Sequence, residues 1–219
     1  MFEALQVFDD IEARAAALNM AIDEALLEAA TRPVLRYYRW SRLAVSFGYF
    51  GRYAEVAEEA AHRDVVRRWT GGGIVPHGND LTYSVIIPAS NANFAKSSPE
   101  IYAAIHAAIT VALNANEVAA ALADSAAPKI SDLCFANAVR ADVISAGRKI
   151  AGAAHRRAKH GLLHQGSIQL AGLTAKFRSD LSRSLSNQVE PGTLSRELLD
   201  RAHAIAEARY AMHEWLTRR

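Results

Sequence analysis

Residues 64–88, DVVRRWTGGGIVPHGNDLTYSVIIP, place three consecutive glycines between two segments that are typical of β-strands. The flanking residues 64–69 and 81–88 are rich in β-branched and aromatic side chains, which fit the pleated surface of a sheet. Glycines are costly in backbone entropy, and they are useful where the chain must approach a ligand or hold an anion with its N–H groups. The stretch predicts two strands joined either by a flexible hairpin turn with solvated arginines or by a ligand-binding loop.

The secondary structure outside this stretch follows from hydrophobic spacing and turn residues. Apolar residues at helical spacing predict long helices, and Ser97, Ser98 and Pro99 add a helix start. The predicted helices are 10–31, 54–63, 98–115, 174–184 and 194–217. The predicted strands outside the glycine-rich stretch are 34–40, 44–50, 117–123, 140–146, 149–156 and 162–170. Helices that flank a mostly antiparallel set of strands indicate an α+β fold, and we expect one domain over residues 1–219 that ends in two helices and has no separate accessory domain.

The composition is that of an ordinary globular chain. The 219 residues include 51% hydrophobic and 22% charged side chains, and the formal net charge of +2 gives no indication of a nucleic-acid partner. The first residues lack the basic start of a signal peptide, and no run of about 18 apolar residues predicts a membrane span. The single cysteine, Cys134, excludes an internal disulfide and fits a reducing compartment. We therefore expect a cytoplasmic protein with no nucleic-acid and no membrane partner.

Residues 147–157, GRKIAGAAHRR, combine a lysine with a strand of small residues. Strand interiors usually carry larger side chains, so Gly152, Ala153 and Ala154 leave room for a ligand beside the backbone. The ammonium of Lys149 in such a groove would bind a carboxylate, a phosphate or a thioester oxygen. The alternative is a surface hairpin with this lysine in its turn.

Cys134 is a candidate nucleophile. A cysteine nucleophile needs a neighbouring cation or dipole that lowers the pKa of its thiol, and Lys149 supplies that cation only if the fold brings the two together. Otherwise Cys134 is a core residue.

A metal site made of His77, His155 and His164 matches no standard zinc spacing, so we expect none. The arginines of the last helix are expected to form a solvated amphipathic face: Arg196, Arg201, Arg209, Arg218 and Arg219.

Several ordered segments of this chain resemble the biotin/lipoate protein ligase and octanoyltransferase family. Residues 19–27 are similar to the family's first helix, and Val45-Ser46-Phe47-Gly48-Tyr49-Phe50 is similar to the strand that follows. The more specific matches are Arg67-Arg68-x-x-Gly71-Gly72-Gly73-x-Val75-x-His77, Gly147-Arg148-Lys149-Ile150-Ala151-Gly152-Ala153-Ala154, and Gly161-Leu162-Leu163-His164-Gln165-Gly166-Ser167-Ile168. Motifs that occur in this order are together far more specific than any one of them.

The resemblance implies an α+β ligase-type domain that moves an octanoyl or lipoyl group onto a lysine of a lipoyl-carrier domain. It implies that Lys149 is the central catalytic residue and that the glycine-rich loop and the small-residue strand line the acyl tunnel and the carrier-binding groove. The substrate-binding residues expected on this basis are Arg67, Arg68, Gly71, Gly72, Gly73, His77, Tyr83, Gly152, Ala153, Ala154, His155, His164, Gly166 and Ser167.

One class within the family consists of octanoyltransferases with a cysteine nucleophile. Their Cys-Phe pair lies fifteen residues before the lysine, and Cys134-Phe135 has that spacing from Lys149. Residues 77–84, HGNDLTYS, also resemble that class's H-x-x-[DE]-L-T-Y-S segment, whereas His155 stands where glutamine is usual. This branch implies transfer from octanoyl-acyl-carrier protein through a thioester on Cys134, without a cofactor or a metal.

Two alternatives stay open. An ATP-dependent lipoate-protein ligase would use free lipoate or octanoate, ATP and Mg²⁺, would leave Cys134 structural, and would admit a separate accessory chain. A non-catalytic module would hold a lipoyl domain in the same groove. Whether the protein is a transferase or a ligase, the expected acceptors are lipoyl domains such as the glycine-cleavage carrier protein and the dehydrogenase E2 domains.

Overall fold

The computed structural model describes residues 1–126 and 138–218, whose strands form a large sheet and a small one. The strands are β1 Phe2–Arg14, β2 Val34–Trp40, β3 Ala44–Phe47, β4 Asp64–Arg67, β5 Val75–His77, β6 Leu81–Pro88, β7 Ala121–Leu122, β8 Val143–Ser145, β9 Arg148–Ala158, β10 Gly161–Ile168 and β11 Ser186–Pro191. The α-helices are α1 Ala16–Ala29, α2 Ser98–Asn114, α3 Ala175–Leu185, α4 Arg196–Ile205 and α5 His213–Thr217.

The large sheet has eight strands in the order β11-β1-β2-β6-β10-β9-β8-β7. β1 runs parallel to both β2 and β11, and every other neighbouring pair in this sheet is antiparallel. The predicted α+β fold with a mostly antiparallel sheet is therefore confirmed. The small sheet has the order β4-β3-β5, and the three glycines lie in the connection between β4 and β5.

The strands at 64–67 and 81–88 belong to different sheets, so the hairpin interpretation of the glycine-rich stretch is wrong. β4 pairs with β3 in the small sheet, whereas β6 pairs with β2 and β10 in the large one. The glycine-rich connection therefore crosses from one edge of the small sheet to the other, which brings it over the large sheet instead of closing a hairpin.

The two faces of the large sheet carry separate apolar cores. Helices α2 and α3 cover one face, where Ile105, Ile109 and Phe177 pack against Tyr83 and Leu162. Helices α1 and α4 cover the other face, where Ile22, Leu26 and Ala202 pack against Ile86 and Leu163. Because side chains alternate along a strand, each central strand contributes to both cores. Helix α2 begins as predicted, with Ser97 and Glu100 forming a reciprocal capping box and Pro99 in the first turn.

The predicted helix at 10–31 begins too early, because β1 continues to Arg14 and α1 starts only at Ala16. The carboxylate of Asp10 accepts from the fully buried guanidinium of Arg36 at 2.8 Å and from Arg14 at 3.1 Å. Those bonds, together with the pairing of β1 with β2, hold this stretch in the sheet. Ile11, which the predicted helix places on its apolar face, is 69% exposed.

The predicted helix at 194–217 is divided. α4 runs into a π-helical turn, Ala206–Tyr210, and α5 starts afresh at His213. The side chains of Arg209 and Tyr210 both bond to Glu24 of α1, which fixes this turn on the neighbouring helix. The expected solvated arginine face is therefore wrong for Arg209, and also for Arg218, whose guanidinium stacks on Trp215.

Smaller differences concern the lengths of elements. The strand predicted at 44–50 ends at Phe47, the helix predicted at 54–63 is a pair of 3-10 turns, and the strand predicted at 117–123 shrinks to two residues. Strands β1, β5 and β11 have no counterpart in the prediction. Within the described residues, none of the helices combines the length and the hydropathy needed to cross a bilayer.

Candidate active site

A pocket lies between the two sheets, beneath the glycine-rich loop. The large sheet supplies its floor from β2, β6, β9 and β10, the small sheet supplies one wall from β3 and β5, and α1 closes a side with Met20. The lining residues are Met20, Tyr38, Trp40, Ser46, Arg68, Gly72, Val75, His77, Thr82, Gly152, Ala153, Ala154, Gln165, Gly166 and Ser167. The loop and the small-residue strand that the sequence singled out therefore meet at one cavity.

Several of these lining side chains are polar, and those of Gln165, Ser167 and Thr82 bond to other protein groups. Gln165 donates to Asp23 at 2.8 Å and accepts from Thr70 at 2.8 Å. Ser167 donates to Asp80 at 2.6 Å, and Thr82 donates to the same carboxylate at 2.9 Å. A ligand therefore meets mainly the carbon atoms of these side chains and the rings of Tyr38 and Trp40, which suits an apolar chain.

Arg68 fixes the shape of the glycine-rich loop. Its Nη2 donates to the carbonyl oxygens of Gly71 at 3.0 Å and Gly73 at 2.9 Å. Gly72 has a φ of +86°, and a Cβ there would lie 3.2 Å from the Cβ of Ala154. A left-handed backbone conformation in that space favours glycine. The loop can therefore lie directly against the small-residue strand β9.

A directed chain of hydrogen bonds runs from Arg68 through Ser46 and His77 to Asp80. Arg68 Nη1 donates to Ser46 Oγ at 2.6 Å, Ser46 Oγ lies 2.7 Å from His77 Nε2, and His77 Nδ1 lies 2.8 Å from Asp80 Oδ2. A carboxylate only accepts, so Nδ1 carries the proton and Nε2 accepts from the serine hydroxyl. Burial lowers the pKa of His77, which keeps this imidazole neutral.

The hydrogen-bonded order Ser46–His77–Asp80 is that of a hydrolytic triad, but Ser46 is not placed as a nucleophile. Ser46 is 1% exposed, and its hydroxyl already accepts from the guanidinium of Arg68. A nucleophile needs an accessible oxygen whose proton can pass to the base as the substrate arrives. This chain of bonds therefore serves to hold Arg68, and through it the glycine-rich loop. Trp40 stacks on His77 with ring centroids 4.2 Å apart.

Arg67 points away from the pocket, although it adjoins Arg68 in the chain. Its fully buried guanidinium donates to the carbonyl oxygens of Tyr49 and Gly51 and to those of Trp215, Leu216 and Arg218. Successive residues of a strand face opposite sides, so the two arginines have different surroundings. In this structure Arg67 anchors the C-terminal segment against β4.

Lys149 lies beside the pocket, against Gly152 of its wall, in a buried ion pair. Its Nζ is 2.8 Å from Asp142 Oδ2, and the two side chains are 4% and 0% exposed. A Cβ at Gly152 would lie 2.7 Å from the same Nζ, so the lysine side chain occupies the space that any larger residue would need. Gly152 itself lines the pocket, which places the ammonium beside the cavity.

The opposite face of β9 and β10 carries a cluster of tyrosine and histidine rings. His164 Nε2 lies 3.0 Å from the hydroxyl of Tyr83, and His164 Nδ1 lies 2.6 Å from His155 Nε2. From α2, Tyr102 and His106 pack against this pair, with 4.1 Å between their own ring centroids. The cluster lies directly behind the pocket, with only the backbone and small residues of the sheet between them.

The three histidines of this cluster are neutral. Burial lowers the pKa of His106 to about 4 and that of His155 to about 4, and it lowers the pKa of His164 well below its ordinary value. Their mutual proximity adds to the effect because two cations would repel. Burial also raises the pKa of the Tyr102 hydroxyl, and the charge of Asp142 raises it further.

The structure thus brings most of the predicted site residues together. Arg68, Gly72, His77, Gly152, Ala153, Ala154, Gly166 and Ser167 line the pocket, whereas Tyr83, His155 and His164 lie on the other face. Cys134 lies outside the described residues. Within residues 1–126 and 138–218, no three histidine, cysteine or acidic side chains are grouped so that they could hold a metal ion.

Sequence reasoning missed Asp142, Tyr102 and His106. Asp142 stands just before β8 and seven residues ahead of Lys149, and a lone acidic residue within the strand predicted at 140–146 gave no signal of burial. Tyr102 and His106 are one helical turn apart on α2, a spacing that predicts a shared helix face but not what that face covers. Their role depends on contacts with β9, which no local pattern contains.

The described residues thus form an α+β domain with a pocket between two sheets and a buried lysine ion pair beside Gly152 of the pocket wall. The family model of the lipoyl protein ligase A/B catalytic domain matches residues 15–202, so the chain belongs to that family.

Named relatives and solved structures agree with this family. An octanoyltransferase LipM of Lysinibacillus sphaericus is 30% identical, with 90% of this chain and 93% of the relative covered. The octanoyltransferase LipM of Bacillus subtilis is also 30% identical, with 91% and 93% covered. A putative lipoate protein ligase from T. acidophilum with bound lipoic acid has a TM-score of 0.76 at 18% identity, with 98% and 99% covered. A lipoate-protein ligase A bound with ATP has a TM-score of 0.75 at 19% identity, with 98% of both chains covered. At these identities the two structures establish the fold alone.

Proposed function

We propose that this protein is an octanoyltransferase that moves an octanoyl group from octanoyl-acyl-carrier protein onto a lysine of a lipoyl domain, through a thioester on Cys134. Two observations support the proposal. Relatives named octanoyltransferase align with nine tenths of the chain, and a buried ammonium lies beside an apolar pocket. The ion pair of Lys149 beside that pocket is the observation that carries it, because a fixed positive charge next to the reacting carbonyl stabilises the negative charge that develops on its oxygen.

The first half-reaction is a thioester exchange. The Cys134 thiolate attacks the carbonyl carbon of the octanoyl thioester, and Lys149 stabilises the negative charge that develops on oxygen. The new bond joins that carbon to the Cys134 sulfur, and the bond to the carrier's sulfur breaks. The carrier leaves as a thiolate, which takes up the proton that the cysteine had lost. The alkyl chain of the octanoyl group lies in the pocket against Tyr38, Trp40 and the small residues of β9.

The second half-reaction forms an amide. The uncharged amine of the acceptor lysine attacks the Cys134 thioester, its nitrogen bonds to the carbonyl carbon, and the carbon–sulfur bond breaks. The proton lost by the attacking nitrogen goes to the departing sulfur, so the enzyme returns to its starting state. No oxidant, nucleotide or metal takes part in either step. We place this reaction in the cytoplasm, where the reduced thiol persists.

The backbone N–H of Ala153 already donates a hydrogen bond within the protein, so it is not available to bind the oxyanion. It donates to the hydroxyl of Tyr102 at 3.2 Å. We therefore assign the main stabilisation of the oxyanion to the ammonium of Lys149 and not to this part of the β9 backbone.

The deciding experiment is intact-mass measurement after the protein is mixed with octanoyl-acyl-carrier protein, without ATP. We expect a mass increase of one octanoyl group that maps to Cys134 and transfers to a lipoyl domain when one is added. Cys134→Ala should give no adduct. Cys134→Ser is the matched variant for this test, because it replaces only the thiol and preserves the size and polarity of the side chain.

The ligase alternative makes the opposite prediction. If Cys134→Ala still modifies a lipoyl domain when free lipoate, ATP and Mg²⁺ are supplied, the protein forms an acyl-adenylate and the transferase proposal fails. If folded protein binds a lipoyl domain and catalyses neither reaction, it is a binding module. The three functions are thus separated by two assays on one pair of proteins.

A further inference from the structure

Asp142 lies outside the pocket, yet three groups of the described part of the chain hold its carboxylate in one orientation. Oδ2 accepts from the backbone N–H of Val139 at 2.6 Å and pairs with Lys149 Nζ at 2.8 Å. Oδ1 accepts from the hydroxyl of Tyr102 on α2. Asp142 is fully buried. A carboxylate with this many partners has little rotational freedom, so the lysine is paired with a fixed anion.

Tyr102 connects this carboxylate to the pocket strand. While its hydroxyl donates to Asp142, the same oxygen accepts from the backbone N–H of Ala153 at 3.2 Å. Ala153 and its neighbours on β9 line the pocket, so a displacement of Tyr102 would be transmitted both to the strand and to the ion pair. A single hydroxyl thus links helix α2, Asp142 and β9.

His106 supports the same arrangement from one turn further along α2. Its ring packs on Tyr102 with centroids 4.1 Å apart, and its Nδ1 donates to the carbonyl oxygen of Ala141 at 2.7 Å. Ala141 directly precedes Asp142 in the chain. Because His106 is neutral, it holds this peptide without placing a second cation beside Lys149.

We propose that Asp142 and Tyr102 are the positioning residues of Lys149. Tyr102, fixed by the amide of Ala153, orients Asp142, and Asp142 holds the lysine ammonium against Gly152 at the pocket wall. An ammonium removed from water needs a paired anion, and a catalytic charge must be fixed before the reaction starts. Neither residue lines the pocket, so both act through Lys149. The inference rests on the proposed function, in which Lys149 stabilises the oxyanion. It also takes Lys149 as the cation that lowers the pKa of the Cys134 thiol.

Tyr102→Phe tests the proposal with a minimal change, because it removes one hydroxyl and keeps the ring. We expect the rate of acylation by octanoyl-acyl-carrier protein to fall about tenfold, in line with the cost of a misplaced catalytic group, while the KM for the donor is unchanged. Tyr37→Phe is the matched control. It also removes a buried hydroxyl, one that bonds to Arg178 and Ser182 at a distance from the pocket.

A second readout does not depend on turnover. Cys134 is the only cysteine in the chain, so alkylation by iodoacetamide reports on that thiol alone. If Tyr102 positions the lysine, the pH midpoint of alkylation should rise in Tyr102→Phe, because a displaced ammonium stabilises the thiolate less. A role limited to folding would lower the melting temperature and leave this midpoint unchanged.

Asp142→Asn tests the anion itself, and we expect a loss of about 100-fold or more in the acylation rate. Glu24→Gln is its control, because it breaks a partly buried ion pair with Arg209 on another helix. If Tyr102→Phe and Asp142→Asn, both folded, acylate and alkylate like the wild type, the proposal is overturned. If the wild type itself forms no acyl-enzyme, the proposed function fails first, and the two failures are thereby distinguished.

Discussion

On the face of β9 and β10 that looks toward α1, small residues leave a pocket, whereas the face toward α2 is filled with rings. The pocket face presents Gly152, Ala154 and polar side chains whose bonds are directed elsewhere. The α2 face presents His155 and His164, against which Tyr83, Tyr102 and His106 pack. The same two strands thus combine an open site with a closely packed support, separated by the thickness of the sheet.

The contact between these faces shows why the support needs small residues on the strands. A Cβ at Gly166 would collide with the ring and the hydroxyl of Tyr83, so this side chain packs directly against the backbone of β10. On the other strand, the hydroxyl of Tyr102 reaches the amide of Ala153 at 3.2 Å. The ring cluster is therefore in direct contact with the backbone that forms the pocket floor.

Loss of the ammonium should have the largest effect on the pocket face. Lys149→Ala is expected to reduce acyl-enzyme formation by about 10³-fold, because it removes the charge assigned to the developing oxyanion. Single-turnover acylation followed by mass spectrometry measures this rate. Lys149→Arg is the informative comparison, since it keeps the charge and changes its geometry. Wild-type acylation in Lys149→Ala would contradict the central role of the lysine.

Crowding the lysine should have the next largest effect. In Gly152→Ala the new methyl would lie 2.7 Å from Lys149 Nζ, so the lysine must leave its place at the pocket wall. We expect acylation to fall about 10- to 100-fold with little change in donor binding. Gly172→Ala, with a φ of +78° and nothing within 4 Å of the added carbon, is a control for the general cost of replacing a glycine. Equal activity in the two variants would show that Lys149 keeps its function when a methyl group is added at Gly152.

The smallest expected effect is on folding stability. It arises from His106 on the face of the sheet toward α2 and depends on pH. The pKa of His106 is about 4 in the folded protein and about 6.5 when unfolded, so the unfolded chain binds the extra proton as pH falls below 6.5. Its contribution to stability is therefore present at neutral pH and is lost between about pH 6.5 and 4, with a loss of about 2 kcal/mol between pH 7 and 5.

Urea unfolding of the wild type and of His106→Phe at pH 7 and pH 5 tests this sign and size. The variant loses the bond to the Ala141 carbonyl at both pH values, so only the difference between the two pH values is diagnostic. We expect the variant to lose about 2 kcal/mol less than the wild type over this range. Equal losses of unfolding free energy in the two proteins would mean that folding does not lower the pKa of His106.

Local signals in the sequence were sufficient for much of the fold. The strands at 34–40 and 81–88, the capped helix from 98 and the hairpins between 143 and 168 carry their own turn and periodicity signals, and the structure contains each of them. The strand at 2–14 and the edge strand at 186–191 carried none. β1 exists because it pairs in parallel with segments far along the chain, and Asp10 is drawn into the sheet by Arg36, 26 residues away.

By itself the sequence determined the family, the α+β class and the two segments that meet at the pocket, because those features reside in short motifs of glycine, lysine and small residues. Only the tertiary structure decided that Arg67 anchors the C-terminal segment while Arg68 shapes the loop, and that Asp142 is the partner of Lys149. The physical reason is that burial and pairing depend on which elements lie across from a side chain. Strand pairing and helix packing between distant segments make that choice.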